Sequence, residues 1–283
     1  MTMTAGAQLL NGTQVAHQHL DAARQKIASL KAKGITLATV MMGQPKDAMA
    51  YSKYLTGLLG KIGIRLIHRD FPADITEKKV LAEIEKLNRD RKITGIMIFS
   101  PIPAHINPTN VFDQIDMLKD AEGRTFLKSH LGVFSPTARA VITLLEATGV
   151  DFAGKEAIVV GSSDLVGKPA AVLLSDLFAT VTLCHIKTRS LSEHVRRADI
   201  VVAAAGKPEL VKGDWLKPGA IVIDVGENFQ DGKIVGDVEF EAARAKAAFI
   251  TPVPGGVGPV TNVMLIENLI RLYQLQRGRR GAR

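Results

Sequence analysis

The sequence contains a single cysteine, Cys184, so it cannot form a disulfide framework, and a reducing compartment suits it. Long apolar runs are missing too. The longest, such as "IVVAAAG" from Ile200 to Gly206, have the length of a strand, whereas a membrane-spanning helix needs about 20 residues, so no membrane partner is expected. The opening "MTMTAGAQLLNG" lacks a basic region followed by an apolar stretch; no signal peptide is expected, and a cytoplasmic location follows as the default. Dense basic clusters are scarce. The net charge is +8, but the lysines and arginines are dispersed except in the tail "RGRRGAR" at 277–283, which reads as a frayed, solvated end. Nucleic acid is therefore not the expected partner, and a mildly basic chain suits an anionic small ligand. Internal repeats and low-complexity segments are absent.

The composition, 46% hydrophobic and 23% charged over 283 residues, is ordinary for a globular protein and allows two modest domains. Apolar residues at helical spacing predict a helix over 14–32, stopped by Gly34. "ITLATVMMG" (35–43) reads as a buried strand, and 47–63 as a helix with Asp47 as N-cap. "IRLIHRDF" alternates like a strand, "TEKKVLAEIEKLNRD" opens on a Thr N-cap, and "ITGIMIFSPIP" is a strand ending in a proline-punctuated loop. After the helix 138–150 the pattern restarts, with near-continuous apolar strands in "EAIVVG", "ATVTLCH", "DIVVAAAG" and "GAIVIDVG". Strands alternating with helices predict an α/β protein with mostly parallel sheets. A boundary near 137 predicts domains at 1–137 and 138–261, with the last helix, 262–283, packing back on the first.

"AIVVGSSDLVGKPAAVLL" runs strand, glycine turn, helix, with Gly161 and Gly167 bracketing the turn and Pro169 where a first helical turn tolerates it. Glycines let the backbone approach a pyrophosphate, and a helix N-terminus offers unpaired N–H groups and a positive dipole end. A dinucleotide is the expected ligand, against the alternative of a tight turn that binds nothing. The second strand ends "TLCHIKTRS" with no acid for a ribose hydroxyl, while Lys187 and Arg189 are placed to face a 2′-phosphate. NADP is favoured, with NAD as the alternative.

With these features on view, "GSSDLVGKP", "TVTLCHIKT", "GDWLKPGAIVIDVG", "GKIVGDVEF" and "ITPVPGGVGPVT" resemble the methylenetetrahydrofolate dehydrogenase/cyclohydrolase family. "NGTQVA", "LATVMMGQP", Tyr51, "GIMIFSPIP" and "DMLKDAEG" extend the likeness through the first domain. The resemblance implies an N-terminal α/β folate-binding domain, a Rossmann-type dinucleotide-binding domain, a cleft between them and a homodimer. It places Tyr51 against the folate, with Ile98, Phe99, Ser100 and Glu122 also in that pocket. It sets the loop Pro254, Gly255, Gly256, Val257, Gly258 over the folate. On the cofactor it puts Gly161, Ser162, Ser163, Val166, Gly167, His185, Ile186, Lys187, Gly206 and Glu227.

The departures from the family pattern carry the sharper implication. Four residues after Tyr51, the family's catalytic lysine is replaced by Leu55. Its "QLPLP" reads Phe99-Ser100-Pro101-Ile102-Pro103, so the lysine's glutamine partner is Phe99; its "KDVDG" reads Lys119 to Gly123 with Glu122 as the pterin-binding acid. The segment between Gly123 and "SPTARA" is shorter than usual for the family, Ser162 replaces an arginine common in NADP-binding members, and Ile186 replaces a serine. Lys53 reads as a solvated surface lysine in preference to a substitute for the lost one, because residues two apart on a helix face different ways. Leu55 joins Leu58, Leu59 and Ile62 at core spacing.

Hydride transfer from methylenetetrahydrofolate needs alignment of donor and acceptor and no proton removal. Hydrolysis of the methenyl product needs general acid–base help, which leucine cannot give. The expectation is a dehydrogenase with cyclohydrolase activity weak or lost. A bifunctional enzyme using another base, and a non-catalytic or altered-substrate paralogue, remain the alternatives.

Overall fold

The structure, a computed structural model, describes residues 6–30, 34–126 and 129–281. In chain order it begins with β1 (Gln8–Leu9), α1 (Gly12–Ser29), β2 (Thr36–Met42), α2 (Lys46–Gly60), β3 (Arg65–Phe71), α3 (Glu77–Arg89), β4 (Gly95–Ile98) and α4 (Pro108–Asp113). It continues with α5 (Pro136–Glu146), β5 (Glu156–Val160), α6 (Gly167–Asp176), β6 (Thr180–Cys184), α7 (Leu191–Arg197), β7 (Ile200–Ala203) and β8 (Ile221–Asp224). The hairpin β9 (Asn228–Gln230) and β10 (Lys233–Val235) follows, then α8 (Phe240–Arg244), β11 (Phe249–Ile250) and α9 (Val257–Gly281). The expected helix 14–32 ends at Ser29, and positions 31–33 lie outside the described residues. The tail expected to fray continues α9 to Gly281, with 282–283 outside the description.

Two compact units result, one from the described residues up to His19 plus Ser135–Met264, the other from Leu20–Phe134 plus the chain from Leu265. The boundary expected at 137 thus falls at 134/135, where Ser135 caps α5: its hydroxyl accepts from the Ala138 N–H. A larger difference lies at the start of the chain. The described residues up to His19 group with Ser135–Met264 and not with Leu20–Phe134: β1 pairs in parallel with β11 and the Gly12 N–H donates to the Gly255 carbonyl at 3.0 Å.

In the unit around Leu20–Phe134, β3, β2 and β4 form a parallel sheet in that order. Every residue of β2 is buried, since helices cover both faces. Leu37 and Met41 pack with Leu55 and Leu59 of α2 and with Leu265, Leu269 and Tyr273 of α9. Ala38, Val40 and Met42 pack with Val80 and Ile84 of α3 and Val111 of α4. The alternation expected in β3 is absent: as an edge strand it is half-buried along most of its length. Asp47 is not the N-cap of α2. Pro45 takes that position without a side-chain bond, and Asp47 sits in the first turn, where its charge still suits the helix dipole.

In the other unit six strands form a parallel sheet in the order β1–β11–β8–β7–β5–β6. Strand β5 lies between its successors β6 and β7, so the direction of winding reverses beside it. Open α/β sheets bind ligands in the crevice such a reversal leaves at the carboxyl ends of the strands. Ile158, Val160, Val201, Val222 and Ile250 build one core face under Val195 of α7 and Ala243 of α8, while α6 packs on β5 and β6. Among the described residues no helix is long and apolar enough to cross a membrane, and no group of His, Cys, Asp or Glu is arranged to hold a metal ion.

Candidate functional site

The chain leaves β5 through Gly161, whose φ is +116°. A Cβ there would overlap the Ala204 carbonyl oxygen, because the chain leaving β7 passes directly against it; only glycine fits. A Cβ on Gly167 would in turn overlap the Gly161 carbonyl. Ser163 Oγ accepts from the N–H groups of Val166 at 3.2 Å and Gly167 at 3.4 Å, closing the turn onto the N-terminus of α6. The result is a backbone cradle with the positive end of a helix beneath it, the geometry that receives a pyrophosphate. Ser162 is partly exposed on this turn.

Beyond β6, the His185 N–H donates to Thr188 Oγ1 at 2.8 Å and His185 Nδ1 accepts from the Lys187 N–H at 3.1 Å. His185 therefore holds a turn together. That turn projects Ile186, 95% exposed, and the side chains of Lys187 and Arg189 into solvent beside the strand that neighbours β5.

Two buried aspartates shape the rest of this unit, and neither was singled out from the sequence. Asp237 is fully buried and accepts from the N–H groups of Ala205 (2.5 Å), Gly206 (2.9 Å) and Lys207 (2.9 Å) and from Asn228 Nδ2 (2.8 Å). It fixes the loop after β7 on which Gly206 sits. Asp224 accepts from the N–H groups of Gly226 (3.0 Å), Asp237 (2.9 Å) and Val238 (2.9 Å). Burial, with the Asp237 charge adding to it, pushes the Asp224 carboxyl from 3.8 up to about 7 against the pull of those N–H donors. The folded protein holds this proton more tightly than the unfolded chain does, so unfolding releases it and its stabilising effect fades as pH rises from 3.8 to about 7. The margin by which the native protein out-melts Asp224→Asn should shrink across that interval; a margin that grows with pH would contradict the assignment.

Glu227 follows directly and lines a depression of about 10 Å³ with Pro254, Gly255, Gly256, Val257 and Gly258. A Cβ on Gly258 would come within 3.0 Å of Glu227 Oε1. The glycine loop and Glu227 are thus brought together as one surface. The loop is also tied to the start of the chain, where a Cβ on Gly12 would overlap the Gly256 carbonyl.

In the other unit, the Tyr51 and Phe99 rings meet edge to face, centroids 6.1 Å apart at 86°. Such a pair contributes roughly 0.5–1.5 kcal/mol beyond area burial. Phe99 is 5% exposed and Leu55 is 0% exposed, both in the apolar cluster of Met41, Ala48 and Leu59. Leu55 is core. Lys53 and Ser100 are exposed, and Ile98 is buried.

The Ile98 backbone donates to Glu122, whose side chain, 13% exposed, pairs with Arg124 at 3.4 Å. Arg124 in turn lies over the Phe112 ring at 3.5 Å, a cation–π contact that sequence reasoning missed, since nothing in the spacing pairs 112 with 124. Burial raises the Glu122 pKa, only partly offset by Arg124. Asp120 is raised by burial as well; its Oδ2 accepts from Thr125, while its buried Oδ1 has no partner. Two carboxyls with unspent acceptor capacity suit a ligand bearing amino and ring N–H groups.

Known proteins match both units. Residues 135–277 match the tetrahydrofolate dehydrogenase/cyclohydrolase NAD(P)-binding domain, and residues 10–122 the catalytic domain of the same family. A bifunctional protein FolD of Geotalea daltonii is 44% identical over 275 residues, 93% of this chain and 98% of that protein. The crystal structure of the bifunctional FolD enzyme of Campylobacter jejuni superposes with a TM-score of 0.91 at 36% identity, covering 95% of this chain and 99% of that one. The Trypanosoma brucei FolD, solved with NADP and an inhibitor, superposes with a TM-score of 0.90 at 35% identity, covering 98% and 100%. The chain belongs to the tetrahydrofolate dehydrogenase/cyclohydrolase family and is an oxidoreductase with an NAD(P)-binding domain.

Proposed function

We propose that this chain is a methylenetetrahydrofolate dehydrogenase that reduces NADP, releases 5,10-methenyltetrahydrofolate and hydrolyses that product weakly or not at all. The observation that carries the second half is Leu55, fully buried in an apolar cluster where the family has its acid–base lysine. The Gly161 cradle, Ser163 and the α6 N-terminus hold the dinucleotide phosphates, and Gly206 and Glu227 flank the nicotinamide side. When bound, the nicotinamide supplies the hydride acceptor. Tyr51 stacks on the folate, Glu122 holds the pterin N–H groups, and the Pro254–Gly258 loop encloses the substrate.

As the methylene carbon loses its hydride, the N5 lone pair closes to an amidinium cation. No proton leaves, so positioning suffices. Ring opening is different: water adds to the methenyl carbon, a proton is released and a C–N bond breaks, all of which a titrating group accelerates.

The relatives favour a second reading, since the Geotalea and Campylobacter proteins are named as bifunctional. On that reading Glu122, its pKa raised by burial, replaces the lysine as the acid–base group. Glu122→Gln would then abolish methenyl hydrolysis, whereas on the first reading it weakens folate binding alone. The proposed protein is a cytoplasmic homodimer, and sedimentation of the purified chain tests the dimer.

Preference for NADP rests on the exposed Lys187 and Arg189. The pair Lys187→Ser, Arg189→Ser should raise the KM for NADP by about tenfold, the worth of one charge-assisted contact, and leave that for NAD unchanged. Equal changes for both cofactors, or none, would contradict NADP preference. Failure to reduce either cofactor with methylenetetrahydrofolate would refute the dehydrogenase.

A further inference from the structure

The unit around Leu20–Phe134 carries a second concavity, of about 240 Å³, at the opposite end of its strands from Phe99. Arg65 begins β3 and Thr94 immediately precedes β4, so the pocket opens where these strands start, while Phe99 follows the end of β4. Its lining includes Arg65, Arg91, Lys92 and Arg277, and no carboxylate. Asp90 is near in sequence, but its Oδ1 is engaged by the Lys92 N–H at 2.8 Å. Among the described residues, Arg65, Lys92 and Arg277 have no acid within ion-pair distance.

Arg65, Lys92 and Arg277, converging without an acid among the described residues, repel one another and call for an anion. A second, independent feature points the same way. Tyr273, which lines the pocket and is 8% exposed, has a buried hydroxyl with no hydrogen-bond partner. Burying a hydroxyl without a partner costs about 1–3 kcal/mol, so such a group calls for an explanation. Its ring is covered by the Arg277 guanidinium at 4.8 Å, which holds a forked donor over this side chain. The floor is fixed: Gln276 Nε2 donates to the carbonyls of Thr94 and Leu118, both at 2.8 Å.

We propose that this pocket binds a small phosphate-bearing anion, held by the guanidinium and ammonium groups and by a hydrogen bond from Tyr273 Oη. The guanidinium forks of Arg65 and Arg277 match phosphoryl oxygens, and with the Lys92 ammonium beside them they suit a di- or triphosphate better than a monocarboxylate. The volume accommodates a pyrophosphate-sized ion with a few waters, each of which takes about 30 Å³ in the liquid.

Pyrophosphate titrated calorimetrically into the full chain, at low ionic strength and with NADP saturating the other anion site, tests this. The expected result is saturable binding at one site per chain, weakened about tenfold by Arg277→Ser, by Lys92→Ser and by Tyr273→Phe, since each removes one donor to a charged ligand. Tyr273→Phe removes an unpartnered hydroxyl and should not lower the melting temperature of the free protein, and all three variants should keep full cofactor reduction. Absence of saturable binding, an affinity unchanged in these variants, or binding of single-stranded RNA without binding of pyrophosphate would each overturn the proposal.

Discussion

Leu55→Lys combined with Phe99→Gln should accelerate methenyltetrahydrofolate hydrolysis by about 10²- to 10⁴-fold, the usual contribution of one positioned acid–base group, with cofactor reduction changed only a few-fold. Neither substitution should achieve this alone. Leu55 has no exposed surface and shares its cluster with Phe99, Leu59 and Met41, so a single ammonium placed there lacks an acceptor and costs several kcal/mol. Phe99→Gln shortens the ring that fills the space and supplies an amide oxygen to receive the lysine. The two changes should therefore couple by about 0.5–3 kcal/mol in urea unfolding, a sum the single variants do not reproduce. A double variant that folds, reduces cofactor and hydrolyses no faster than the native protein would remove the reason for assigning the lost step to position 55.

Asp237→Ala should be the most damaging single change in the dinucleotide-binding unit. Four donors, the N–H groups of Ala205, Gly206 and Lys207 and the Asn228 amide, all converge on this carboxylate, and its side chain is fully buried. Removing it strands those donors away from water and should cost about 3–5 kcal/mol in urea unfolding, a large share of the stability of an ordinary domain. Because the loop after β7 packs against Gly161, dinucleotide affinity should fall with it. Asp237→Asn keeps the shape and one acceptor oxygen, so its loss should be intermediate. A cost below about 1 kcal/mol for Asp237→Ala would show that the loop is held by something else.

How much of this was legible beforehand depends on the kind of signal. Strands β2, β4, β5, β7 and β8 could be read because helices on both faces make them near-continuously apolar, whereas β11, two residues long, offered no such run. The edge strand β3 misled, since partial burial along an edge erases the alternation its sequence suggests. The place of the first residues did not show, because a two-residue strand beside β11 has no periodicity to detect. At the sites, the Gly161 turn announced itself through glycine spacing, and Leu55 through its fit to a core stripe. The Asp224–Asp237 pair, the Arg124–Phe112 stack and the Tyr273 hydroxyl depend on burial and on distant pairings, which a chain of letters does not display.

The central claim is that the redox step runs without a titrating side chain while the hydrolytic step lacks the one it needs. Methylenetetrahydrofolate and NADP should be supplied together, with reduced cofactor and methenyltetrahydrofolate followed at separate wavelengths and spontaneous hydrolysis subtracted. The account predicts that the methenyl product accumulates one for one with reduced cofactor. Formyltetrahydrofolate appearing as fast as the cofactor is reduced would contradict it.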